Sequence, residues 1–189
     1  MLPIIISAIE SPEDRELMTD FYEMYNAAMY REARKHLKTP EDVEDIVYEA
    51  LAKIIDKMEI FRELKPLQQL QYAITTVRNL SYILLKRNNH FTFIPYDSLE
   101  FDIPSNEDLS PERTVERSIV SSSIRKIWGT LDFEDRILLE QKYVLFWKDS
   151  EIAEPLNIQP QSVRMRLTRA KRNLLTQFNN EGINLLEWL

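Results

Sequence analysis

Between Pro160 and Asn173 the chain carries five basic residues, Arg164, Arg166, Arg169, Lys171 and Arg172, and no acid. Such cations at helical spacing bind phosphates, and arginine also reads guanine edges through paired hydrogen bonds. Behind them, Ile152, Ala153, Leu156, Ile158, Val163 and Leu167 have the spacing of the inner face of two helices packed together. Asn157 suits a left-handed residue that ends the first helix, and Pro160 suits the first turn of the second. The pattern predicts a helix-turn-helix that presents Gln161, Ser162, Arg164, Arg166 and Arg169 to a DNA duplex. Lys171 and Arg172 are placed to reach phosphates, which position a protein without specifying sequence. The plainer reading of the same residues is a solvated basic face, so the rest of the chain has to decide.

Nothing in the sequence assembles a catalytic site. There is no cysteine, and the two histidines, His36 and His90, share no ligand spacing. Carboxylates are plentiful but lack a partner base, a metal-ligand pattern or a phosphate loop. The expectation is a binding protein with no enzyme activity, no metal and no cofactor.

The 189 residues have a formal net charge of -7, which at first opposes binding to nucleic acid. The distribution removes the objection. Asp97, Glu100, Asp102, Glu107, Asp108 and Glu112 fall in one stretch without a base. Segregated blocks of charge act separately, so the total says little about the basic segment.

Two glycines, 44% hydrophobic residues and long runs of helical periodicity predict an all-α fold. Ser11 and Pro12, followed by Glu13 and Asp14, have the order of a capped helix start, and Thr39 to Asp42 repeat it. From the second start, Val43, Ile46, Val47, Ala50, Leu51, Ile54 and Ile55 mark an apolar stripe. Glu41, Asp42, Glu44, Asp45 and Glu49 lie on the opposite side. Some complement the helix dipole; as a group they are also a candidate partner surface. A further helix begins near Pro66, with Leu67, Leu70, Ile74, Val77, Leu80 and Leu84 expected inward. Arg78, Asn79, Tyr82, Lys86 and Arg87 are expected on its other face.

Periodicity fails over residues 88–113, where Pro95, Pro104 and Pro111 stand among serines and acids. A linker this long is unusual inside a compact domain. The sequence therefore predicts two small helical domains, residues 1–90 and 114–189, joined by an acidic linker at 91–113. The apolar start of the chain is too short to span a bilayer and lacks a basic leader, so a cytoplasmic protein without membrane attachment is expected. The apolar residues 183–189 are expected to dock on the second domain or on something else.

This order of parts resembles a bacterial RNA polymerase sigma factor, in the compact form of the extracytoplasmic-function type. Residues 41–50 are similar to the family's acidic clamp-docking segment. Residues 77–87 are similar to the segment that captures melted promoter DNA, and residues 131–144, 150–153 and 162–170 are similar to its second DNA-binding domain. The resemblance implies that Asp42, Asp45 and Glu49 dock on the polymerase clamp. It implies that Arg78, Asn79, Tyr82, Lys86 and Arg87 hold the melted strand, and that the helix-turn-helix reads the upstream element. Tyr82 is a candidate stacking platform, although a helix-surface tyrosine packed on a neighbour fits equally well. Core RNA polymerase, through clamp and flap surfaces, and promoter DNA are the implied partners, with room left for an anti-sigma factor. By resemblance the linker threads the polymerase cleft; a plain solvated tether explains its composition too.

Three departures from the family pattern stand out. Asn157 and Phe146 occupy positions where the family has glycine. Pro155 falls in the expected last turn of the first helix, where it removes a backbone donor. The aromatic approach to the strand-capturing helix is reduced to Gln68, Gln69, Gln71 and Tyr72. These changes point to a divergent branch and keep two alternatives open. One is a stand-alone helix-turn-helix regulator; the other is a sigma-like polymerase-binding module without promoter recognition.

Overall fold

The structure, a computed structural model, describes residues 3–88 and 126–181. Every regular element among the described residues is helical. The N-terminal helices are α1 (Ile4–Ser7), α2 (Pro12–His36), α3 (Pro40–Ile55), α4 (Met58–Phe61) and α5 (Pro66–Arg87). After helical residues 126–130 come α6 (Phe133–Leu139), a π-helical turn (Glu140–Val144), α7 (Asp149–Ala153) and α8 (Pro160–Asn180). The acidic linker and residues 183–189 lie outside the described residues.

Both capped starts form as the sequence predicts. The Ser11 hydroxyl accepts from the Asp14 amide at 3.3 Å, and the Thr39 hydroxyl accepts from the Asp42 amide at 3.2 Å. Each satisfies one orphan donor, and the proline that follows has no N–H to satisfy. At the far end of α2, Arg34, Lys35 and His36 complement the negative end of the dipole. Two of them also hold Glu32, with Lys35 Nζ at 2.8 Å and His36 Nε2 at 3.3 Å from its carboxylate.

α5 is the central element. It packs against α2 and α3 on one side and against the π-helical turn on another. An aromatic chain ties its start to α2: Phe21 meets Phe61 edge-on at 5.1 Å, and Phe61 meets Tyr72 at 5.9 Å. Gln69 donates to the Phe61 carbonyl at 3.1 Å, satisfying a buried polar pair beneath that chain. From Thr75 to Ile83 every residue is buried. A helix enclosed all round has no solvent stripe, and the expected phase shifts accordingly. Tyr72 and Ala73 take the core positions at its start, while Leu67, Leu70 and Ile74 stay partly exposed.

The second group of helices packs on the first around one contiguous apolar core. The Tyr72 hydroxyl donates to the Leu145 carbonyl at 2.9 Å, and the Lys57 ammonium pairs with Glu151 at 3.1 Å. Lys53 lies over the Trp147 ring at 5.1 Å. Among the described residues no helix is long and apolar enough to cross a membrane.

Candidate nucleic-acid and partner interfaces

On α3 the acids divide into two kinds. Asp42 is half-buried and takes part in the helix cap, with its carboxylate accepting from the Thr39 hydroxyl at 2.6 Å. Asp45 and Glu49 are exposed one turn apart, with exposed Glu41 and Glu44 beside them. Tyr48 lies exposed between them, and a hydrogen bond with Glu44 holds its phenol above the ordinary value. Tyr48 lies off the apolar stripe, one residue from Val47, and so carries no periodicity signal in the sequence. An aromatic ring among carboxylates makes this face both charged and adhesive.

On α5 the structure brings Arg78, Asn79, Tyr82 and Lys86 together, and brings the C-terminal helices down on top of them. Arg78, Asn79 and Tyr82 are 9%, 0% and 2% exposed. Glu140, from the π-helical turn, accepts from Arg78 at 2.9 Å, from Asn79 at 3.3 Å and from the Trp128 indole at 3.4 Å. Glu134, from α6, accepts from Lys86 at 2.6 Å and from the Tyr82 hydroxyl at 3.5 Å. Phe133 meets the Tyr82 ring edge-on at 4.6 Å. Burial and the neighbouring Glu134 push the Tyr82 phenol well up. The Lys86 hydrogen bond holds the Glu134 carboxyl below its ordinary range, against the effect of burial. Arg87, one residue on, is exposed. Removing one partner of a buried pair such as Arg78 and Glu140 typically costs about 3–5 kcal/mol, because a desolvated charge is left behind.

The C-terminal residues form a short helix, a turn and a long helix. Asn157 has φ 50°, the left-handed conformation that its side chain tolerates best after glycine. α7 ends at Ala153, two residues before Pro155, so the proline follows the helix and removes no donor from it. Ile152, Ala153, Val163 and Leu167 are buried between α7 and α8, with Leu156 and Ile158 partly so. Phe146 has φ 55° and its ring is 52% exposed.

Along α8, Gln161, Arg164, Arg169, Lys171 and Arg172 are exposed, whereas Ser162 and Arg166 are half-buried. Arg164 pairs with Asp149 at 2.9 Å, and Lys142 joins the same carboxylate at 2.6 Å. Those two hydrogen bonds hold the Asp149 carboxyl below its ordinary value. Arg166 is close enough to Glu134 for its charge to lower that carboxyl. Arg169 stands 4.0 Å from Asp135, and Lys171 lies over the Tyr143 ring at 4.5 Å. Met165 and Thr168 belong to the same exposed surface. A charge-based reading of the sequence has no means of selecting them, because their contribution to a DNA face is apolar.

Residues 21–91 match the family model for sigma-70 region 2, a span that runs from Phe21, within α2, through the whole of α5. No curated protein matches the chain. The acidic face of α3 and the polar face of α5 both lie inside the matched span. The match supports a member of the sigma-70 family, with its region 2 in residues 21–91.

Proposed function

We propose that this chain is a sigma factor of the compact, extracytoplasmic-function-like kind, which directs core RNA polymerase to specific promoters. The observation that carries the reading is the region 2 match over α2 to α5. A sigma-70 region 2 supports polymerase binding and transcription initiation; the finer assignments are ours. Asp45 and Glu49, with Tyr48 between them, are the polymerase-facing surface, and Asp42 serves it from the helix cap. Charge on that face steers association and fixes register more than it supplies affinity. Arg78, Asn79, Tyr82, Lys86 and Arg87 hold the melted promoter strand. Residues 1–90 form the first functional unit, residues 91–113 the tether, and residues 114–189 a helix-turn-helix unit. In that last unit α8 enters the major groove through Gln161, Ser162, Arg164, Arg166 and Arg169, with Lys171 and Arg172 on phosphates.

The test is retention of core RNA polymerase by the tagged protein. Asp45→Arg and Glu49→Arg together should reduce retention by at least about tenfold, since like charges then face the basic clamp. Arg172→Ala should leave retention unchanged. Equal loss in both variants would contradict the placement of the docking surface.

A second reading is favoured by the burial of Arg78, Asn79 and Tyr82: a polymerase-binding module that has lost promoter recognition. It predicts the same retention without initiation from any promoter.

A further inference from the structure

The last turns of α2 and the start of α3 flank a groove that lies outside the residues assigned above to polymerase or DNA. One part, of about 390 Å³, is lined by Tyr30, Arg34, Leu37, Lys38, Val43 and Glu44. A second part, of about 410 Å³, is lined by Asn26, Ala27, Tyr30, Arg31 and Arg34, so Tyr30 and Arg34 are common to both. Each has the size of a small-molecule site. Leu37 and Val43 are buried and give the first part an apolar floor. The Arg34 guanidinium lies over the Tyr30 ring at 5.9 Å, a pairing of plane and cation on which a base can stack. Burial and a hydrogen bond with Tyr22 push the Tyr30 phenol up, so the ring stays neutral. We propose that this groove binds a free nucleotide, with its base against Tyr30 and its phosphates on Arg31, Arg34 and Lys38.

Charge selects that ligand. Arg31, Arg34 and Lys38 are exposed and form no ion pair among the described residues, whereas Lys35 and His36 on the same stretch hold Glu32. Complementing the dipole of α2 accounts for a cation at its end, not for three left open beside an aromatic ring. Cations so placed bind phosphate through charge-assisted hydrogen bonds. The basic patch is also short. Exposed Glu23 stands one turn before Ala27 on the same face of α2, and exposed Glu41, Glu44 and Asp45 follow Lys38 on α3. A strand running past either end would carry its next phosphates onto those acids, so the groove fits one nucleotide rather than a polymer. Glu44 also lines the groove, where its carboxylate can accept from an exocyclic amino group of a base. The same carboxylate holds Tyr48 by a hydrogen bond, which sets the site beside the proposed polymerase-facing surface.

The test is isothermal titration calorimetry of the full chain with ADP and, separately, GDP, without magnesium or polymerase. Saturable binding of at least one, with a Kd below about 1 mM, is expected. Arg31→Glu combined with Lys38→Glu should weaken it at least about tenfold. Lys65→Glu combined with Lys148→Glu makes the same change of charge at exposed positions elsewhere and should leave binding unchanged. Tyr30→Leu should weaken the nucleotide while leaving inorganic pyrophosphate unchanged, since only the stacking platform is lost. Far-ultraviolet circular dichroism checks that each variant is folded. No saturable binding of either nucleotide, or equal loss in the two charge variants, would overturn the proposal. So would pyrophosphate binding as tightly as the nucleotide, because the base would then contribute nothing. A single-stranded oligodeoxynucleotide that binds more tightly than either, and is lost with Arg31 and Lys38, would assign the groove to a strand and overturn it as well.

Discussion

Phe146 carries a conformational cost that its ring does not repay by burial. Its φ of 55° is a left-handed conformation, and half of its side chain remains in solvent. For a residue with a bulky side chain this costs about 1–2 kcal/mol, of which glycine's greater unfolded-state freedom would offset about 0.5–1. Phe146→Gly is therefore expected to stabilise the protein by roughly 0.5–1 kcal/mol, read as a rise in the urea midpoint at constant slope. A fall in the midpoint would mean that the exposed ring makes a stabilising contact. Asn157 faces the same demand with a side chain suited to it. Both positions were legible in the sequence as places where the related pattern has glycine. That a phenylalanine would nonetheless adopt the glycine conformation was not legible, because nothing local favours it. Asp42 is the other residue whose role divides: the cap was readable from Thr39 and Pro40, while the share left for a partner depends on exposure.

At the scale of elements, helix starts were the most legible feature, since capping depends only on a few adjacent residues. α2, α3, α5 and α8 all begin where Ser11, Thr39, Pro66 and Pro160 place them. The phase of α5 was harder to read. Its apolar residues suggest one inner stripe, yet its burial all round is imposed by helices from distant parts of the chain. Polar residues such as Gln69, Thr76 and Asn79 then lie inside, where no periodicity argument would put them. The end of α2 gives a prediction in pH. Burial raises the Glu32 carboxyl, but hydrogen bonds from His36 and Lys35 outweigh it and hold the group at about 2. A depressed carboxyl contributes its stability fully above its unfolded value near ~4.3 and loses it as pH falls through the folded one. Acid unfolding should accordingly steepen between those values, and Glu32→Gln should flatten that limb in a series of thermal melts. An unchanged acid limb in the variant would count against the pairing.

At the scale of the whole molecule, the two groups of helices were each foreseeable, but their contact was not. Arg78 and Glu140 are 62 residues apart, and the intervening linker gives no hint of register. A reading based on separate domains naturally assigns Arg78, Asn79 and Tyr82 to an open surface. Their cover comes from Phe133, Glu134 and Glu140, which read locally as part of an ordinary amphipathic helix and its extension. The contact leaves Arg78, Asn79 and Tyr82, proposed above to hold a melted strand, buried beneath those side chains. Asp45, Tyr48 and Glu49, proposed above as the polymerase-facing surface, lie on the exposed side of α3, away from that contact. The most direct test of the central claim is run-off transcription by core RNA polymerase on a pool of promoter fragments, with and without the protein. The account predicts new discrete transcripts only when the protein is present. Retention of polymerase with no new transcript would contradict promoter recognition, and absence of both would contradict the sigma assignment itself.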